Sequence, residues 1–170
     1  MMSLLPIAAL AQVPKGFYFP EEAEEKPWEE QKAQLPPAPS PQNLRRIDVS
    51  GSTAFEFLID LASVSLGKDG VVRYTLVARS SSGATNVSFE GIKCSGRERK
   101  LYAFGRPDGS WSQARNAQWG PITGNQANRQ HAALADDYFC PGRLIVRTSE
   151  EAIEALKRGG HPRAAAGIER

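Results

Sequence analysis

With 170 residues, 41% of them hydrophobic and 24% charged, the chain has the composition of one ordinary globular domain carrying a polar segment. Its formal net charge of +2 gives no bias toward nucleic acid or a membrane surface, and no segment is long and apolar enough to span a bilayer. The charge is divided along the chain instead. Residues 21–32 hold six acidic and two basic residues, a net of −4, whereas residues 91–147 hold nine basic and four acidic, a net of +5.

The chain opens on an apolar run, residues 1–11, ending in the small residues Ala9-Leu10-Ala11 that signal peptidase reads. No basic residue precedes Lys15, so the run reads as a truncated signal peptide, and it is too short for a transmembrane anchor. Residues 12–43 follow as a flexible Pro/Glu-rich leader. Pro14, Pro20, Pro27, Pro36, Pro37, Pro39 and Pro41 forbid continuous helix or sheet there. Residues 21–34 have room for a short helix carrying Trp28, and residues 35–41 form a stiff spacer.

The domain is expected over residues 44–159. Leu44, Ile47 and Val49 suggest a first strand, and Phe55, Phe57 and Ile59 mark a second by alternation. Residues 60–66 read as a helical turn capped by Asp60. Tight turns at 67–70, 80–83 and 106–109 then separate strands at 71–79, 86–94 and 100–104. Residues 125–139 lack turn formers and predict a helix ending near Cys140-Pro141-Gly142. A second helix starts at Thr148, with Glu151 in capping-box spacing, and stops at Gly159-Gly160. Residues 160–170 are expected to be a disordered tail. The fold class predicted is α+β: a single antiparallel meander of about five to six strands, packed by two helices and carrying one disulfide.

That disulfide is expected between Cys94 and Cys140, the only cysteines. A pair of half-cystines after an export signal fits an oxidising compartment better than two buried free thiols. Closing a loop of about 45 residues is worth roughly 4 kcal/mol in the chain-entropy model.

Four stretches together resemble a bacterial envelope family built around a cryptic neisserial protein. They are Val49-Ser50-Gly51-Ser52-Thr53 through Phe57-Leu58-Ile59-Asp60, the strand Gly70-Val71-Val72-Arg73-Tyr74-Thr75-Leu76-Val77, residues 83–94, and Tyr138-Phe139-Cys140. The resemblance spans about residues 44–158. It implies a periplasmic location and lipoprotein character, and it brings no established activity. The chain departs from it in lacking a cysteine near its N-terminus to accept a lipid, so a lipid anchor is not expected.

Residues 111–121 hold the binding candidates. Trp111 and Trp119 bracket Arg115 and Asn116 in a segment too polar for a core strand. Aromatic faces beside amide and guanidinium donors suit a peptide, a sugar ring or an acidic surface. The rival is that both rings cover the domain's own sheet edge, with Arg115 stacked on one of them. Arg97, Arg99, Lys100 and Arg106 add basic charge nearby, consistent with an anionic partner.

For catalysis, His131 with Asp136 or Asp137 is the one constellation available. Asp136 lies off the helical face of His131, and Ala135 occupies the i+4 position, so an exposed or capping histidine is expected instead. Asp136 and Asp137 read as solvated or paired with arginine, and the serines as turn chemistry. No metal site or cofactor is expected. The function expected is that of a periplasmic, non-enzymatic binding module of the envelope. Its partner would be another envelope protein or an anionic envelope component, and not nucleic acid. The alternative is an envelope hydrolase using His131.

Overall fold

The strand Val71–Ser80 is buried at its first seven positions without alternation, so both faces of the sheet around it must be covered. The computed structural model describes residues 27–51, 53–125 and 128–165. Among the described residues the sheet has seven strands: β1 (Leu44–Arg46), β2 (Phe55–Leu66), β3 (Val71–Ser80), β4 (Thr85–Lys93), β5 (Glu98–Gly105), β6 (Trp111–Gln113) and β7 (Gly120–Pro121). The first six are neighbours in chain order, and β7 pairs with the start of β5. Every pairing is antiparallel. The architecture is the expected α+β meander.

One face packs on helices. α1 (Arg129–Ala133) widens into a π-helical turn at Leu134–Phe139, and α2 (Ser149–Arg158) and α3 (Pro162–Ala165) follow. Phe57, Ile59, Val72, Tyr74, Leu76 and Ile92 of the sheet meet Leu134, Tyr138, Phe139, Ala152 and Leu156 in one core. Each large buried side chain contributes about 1.5–3 kcal/mol. The Cys94–Cys140 disulfide, with Cα atoms 5.6 Å apart, staples the end of β4 to the end of the π-helical turn. Thr148 Oγ1 accepts from the Glu151 amide at 3.1 Å, and Gly159 closes α2 at φ 78°, a conformation that favours glycine.

Residues 60–66 are not a helical turn. They continue β2 through a bulge between Asp60 and Ser65, where Ser63 Oγ donates to the Asp60 carbonyl and accepts from the Thr75 amide, replacing a ladder bond. Of the helix expected over residues 125–139, the part from Arg129 is helical, as α1 and the π-helical turn, and residues 126 and 127 lie outside the described residues. The tail expected from residue 160 carries α3 at Pro162–Ala165, and His161 before it is buried against α2 with Nε2 2.9 Å from Glu151 Oε1. Residues 166–170 lie outside the described residues.

The second face of the sheet is crossed by the chain's own N-terminal arm. Residues 27–40, expected to be a flexible leader and partly helical, run extended and hydrogen-bonded over β3, β4, β5 and β6 before a short turn at Pro41–Asn43 delivers them to β1. The expected signal peptide and the start of the leader, residues 1–26, lie outside the described residues.

Candidate functional site

Strand alternation determines what the arm meets. In β4, Glu90 and Ile92 point toward the helices, which leaves Phe89, Gly91 and Lys93 on the arm face. In β3, Arg73 is on that same face, opposite Val72 and Tyr74. Gly91 has no side chain because Tyr102 lies across it. A Cβ there would sit 2.9 Å from Tyr102 Cε2 and 3.0 Å from Val71 Cγ1. Tyr102, Phe89 and Trp111 then line up as an aromatic wall, with centroid distances of 5.6 and 6.1 Å from Phe89 to its two neighbours.

Two polar receptors grip the arm. In the first, the Glu30 carboxylate accepts from Lys100 Nζ at 2.7 Å, Tyr102 Oη at 2.9 Å and Trp119 Nε1 at 3.2 Å. Burial pushes Glu30 upward, but these donors outweigh it and leave the carboxyl below its ordinary value. Tyr102 moves up, first through burial and also through the Glu30 charge. In the second, Arg73 and Asp69 form a two-pronged ion pair at 2.6 and 3.1 Å. Asp69 Oδ2 also accepts from the Gln31 amide at 2.8 Å, and Arg73 Nη2 donates to the Gln31 carbonyl at 3.0 Å. Burial raises Asp69, but Arg73 and the Gln31 amide prevail and hold it low.

The aromatic contacts extend the grip. Trp28 donates from Nε1 to the Asp69 carbonyl at 2.7 Å and stands edge-on to Trp119 at 6.0 Å. Lys93 Nζ sits over both rings, 4.3 Å from the centroid of Trp28 and 5.2 Å from that of Trp119. Further along, Trp111 Nε1 donates to the Pro36 carbonyl at 2.7 Å. An open depression of about 320 Å³ lies where the arm meets the sheet, lined by Ala33, Leu35, Lys100, Tyr102 and Ala114 among others.

The four binding candidates therefore divide. Trp111 and Trp119 belong to one surface and both hold the arm. Arg115 and Asn116 are exposed on the loop between β6 and β7, and the cations over Trp119 are Lys93 and Lys100, not Arg115. Of the basic residues noted nearby, Lys100 is in the site, whereas Arg97 pairs with Asp136. Sequence reading missed Trp28, Glu30, Tyr102 and the Asp69–Arg73 pair. The available signal was the opposed charge of residues 21–32 and 91–147.

His131 pairs with Glu90 and not with Asp136 or Asp137. His131 is neither exposed nor a cap; it is buried on the helix face of the sheet, with Nε2 2.7 Å from Glu90 Oε2. Tyr74 Oη at 3.1 Å and Ser88 Oγ at 2.7 Å donate to the same carboxylate. Burial raises Glu90, but His131 and Ser88 outweigh it and hold the carboxyl down. The His131 and Glu90 side chains are only 5% and 6% exposed. Asp136 faces Arg97, and Asp137 is exposed beside Asp48, Tyr138 and Gly159, so neither is the partner of His131. Among the described residues there is no group of three or more His, Cys, Asp or Glu able to hold a metal ion. No helix among them is long and apolar enough to cross a membrane.

No solved structure matches the chain. It is similar to Cryptic neisserial protein 1 of Neisseria gonorrhoeae (strain ATCC 700825 / FA 1090), 33% identical over 158 residues, covering 83% of this chain and 77% of that protein. The CNP1-like family matches residues 23–157, a span that takes in the arm as well as the sheet and α1 and nearly all of α2. The chain thus belongs to the CNP1-like family.

Proposed function

We propose that the chain is a periplasmic, non-enzymatic binding module of the bacterial envelope, and that the Trp111–Trp119 end of its sheet is the binding surface. One observation carries this reading. That surface already holds an extended peptide, the chain's own arm, through a carboxylate receptor made by Lys100, Tyr102 and Trp119 and an aromatic wall that bonds a proline carbonyl. Main-chain and carboxylate recognition of this kind serves a segment of another protein equally well. The disulfide and the opening apolar run support export.

In-cell photo-crosslinking tests the proposal, with the reactive group placed at exposed Arg115 or Asn116. The expected result is one discrete adduct in the envelope fraction that disappears when Lys100→Glu is added. If the adduct formed only from a reactive group on the exposed face of α2, at Glu154, the binding surface would be on the other side of the molecule.

A further inference from the structure

The burial pattern of the arm is informative in itself. Between residues 29 and 40, Glu30, Ala33, Pro36 and Pro39 turn partly inward, with Ser40 at the end, while the residues between them are exposed. A strand would repeat every two residues and an α-helix every 3.6; three is the repeat of polyproline-II chain. Pro36 and Pro39 occupy two of these inward positions. The groove also has the chemistry such chain requires, an aromatic wall of Tyr102, Phe89 and Trp111 with an indole N–H bonded to a proline carbonyl.

The arm fills this groove incompletely. Ala33, the inward residue between Glu30 and Pro36, borders the open depression of about 320 Å³, and Leu35 beside it is 41% exposed. The receptors at the two ends are satisfied, but the middle is not. A small side chain stands where the groove has room for a larger one.

We infer that this groove is a receptor for polyproline-II segments of a partner protein, read as a carboxylate, then three residues on a bulky apolar side chain, then three residues on a proline, and that the arm is its resident competitor. The inference rests on the binding-module reading and names its ligand class. Lys100, Tyr102 and Trp119 read the carboxylate, the depression takes the apolar side chain, and Trp111 reads the carbonyl of the proline. The arm meets two of these three demands and holds the groove through its high effective concentration in the same chain. A partner that meets all three displaces it.

The test is a fluorescence-anisotropy titration on the full, disulfide-bonded chain. The ligand is a labelled 14-residue peptide with the sequence of residues 27–40, carrying leucine at the place of Ala33. The wild-type chain should bind it weakly. Glu30→Gln, which removes the arm's carboxylate while leaving the groove intact, should bind it at least tenfold more tightly. Trp28→Ala, a second way of loosening the arm, should do the same. The peptide with alanine restored should bind severalfold less well, and Lys100→Glu should abolish binding to every form. Unchanged near-ultraviolet circular dichroism establishes that each variant is folded. Absence of saturable binding to both loosened variants overturns the inference. So does binding indifferent to Lys100→Glu, or sedimentation of the loosened variants as dimers that exclude the peptide, which would make a second copy the occupant. If the in-cell adduct forms while the peptide fails, this inference falls and the binding module stands. If the peptide binds while no adduct forms, the envelope partner is what falls.

Discussion

Trp111 Nε1 and the carbonyl oxygen of Pro36 are 2.7 Å apart across 75 residues of sequence. That bond fixes the arm at the proline end, as the bonds to Glu30 fix it at the acidic end. Trp111→Phe keeps an aromatic ring against Phe89 and removes the donor together with part of the indole's packing. The loss expected is at least about 1 kcal/mol, the net worth of one such hydrogen bond. It should appear as roughly fivefold faster hydrogen exchange or proteolysis confined to residues 27–40, with the global unfolding midpoint nearly unchanged. A fall in the midpoint as large as that for a core truncation would mean that the ring's packing matters, not its N–H.

Acid should release the arm. Glu30 and Asp69 both lie below their ordinary values of 4.5 and 3.8: against the upward push of burial, Glu30 is held down by the sheet's Lys100, Tyr102 and Trp119, and Asp69 first by its own neighbour Arg73 and then by the arm's Gln31 amide. A carboxyl depressed in the folded state adds stability that is complete above its unfolded value and is lost as pH falls through its folded value. Arm docking should therefore be constant at neutral pH and weaken below about pH 4.5. Tryptophan emission reports this directly, since Trp28, Trp111 and Trp119 all sit at the contact. Most of the acid transition should be lost in Glu30→Gln, and the small remainder owed to the Gln31 amide on Asp69 should go in the double variant with Asp69→Asn. A transition of unchanged size in the double variant would assign it to other carboxyls.

The sheet was legible because period-two alternation and glycine-rich turns are local signals, as at Phe55, Phe57 and Ile59 or in the turn before Val71. The bulge at Ser63 was not, since a serine hydroxyl replacing a ladder bond reads locally as a turn former. The arm shows the larger gap. Its prolines predict extended chain, and it is extended. Whether extended chain floats or docks is decided by Lys100, Tyr102 and Trp119, some 70 to 90 residues away. Glu90 carried a fainter signal: an acidic residue in the inward register of β4, in step with Ile92, must find a buried partner.

Gly91 should resist substitution because Tyr102 occupies its side-chain space. A methyl group there meets the Tyr102 ring at 2.9 Å and Val71 at 3.0 Å, and the ring cannot yield without moving the hydroxyl that donates to Glu30. Gly91→Ala is expected to cost about 1–3 kcal/mol in urea unfolding, the usual range for overpacking. Arm docking should weaken in the same protein. A stable Gly91→Ala chain with the arm still protected would show that Tyr102 has a second position that keeps its bond.

The disulfide joins the sheet to the helical layer, and reducing it should tell on stability. Replacing Cys94 and Cys140 together by serine should lower unfolding free energy by about 4 kcal/mol, as a loop of this length implies. Urea midpoints of the oxidised chain and the double variant measure it. A loss under 1 kcal/mol would mean that the helices hold to the sheet through the core alone.

The last prediction separates binding from the catalytic alternative. Glu90 is surrounded by Tyr74, Ser88 and His131, on the helix face and away from the arm. Removing His131 leaves a buried carboxylate short of one donor, so His131→Leu should cost about 3–5 kcal/mol, the range for breaking a buried pair. The double variant with Glu90→Gln should recover part of that loss, giving a coupling above about 1 kcal/mol in the double-mutant cycle. His131→Gln, which keeps a donor near Glu90, should be the milder change. Because this network supports the core and not the groove, the His131→Gln chain should still crosslink its partner from Arg115 or Asn116. Retained stability with a lost in-cell function would reverse the argument and return His131 to chemistry.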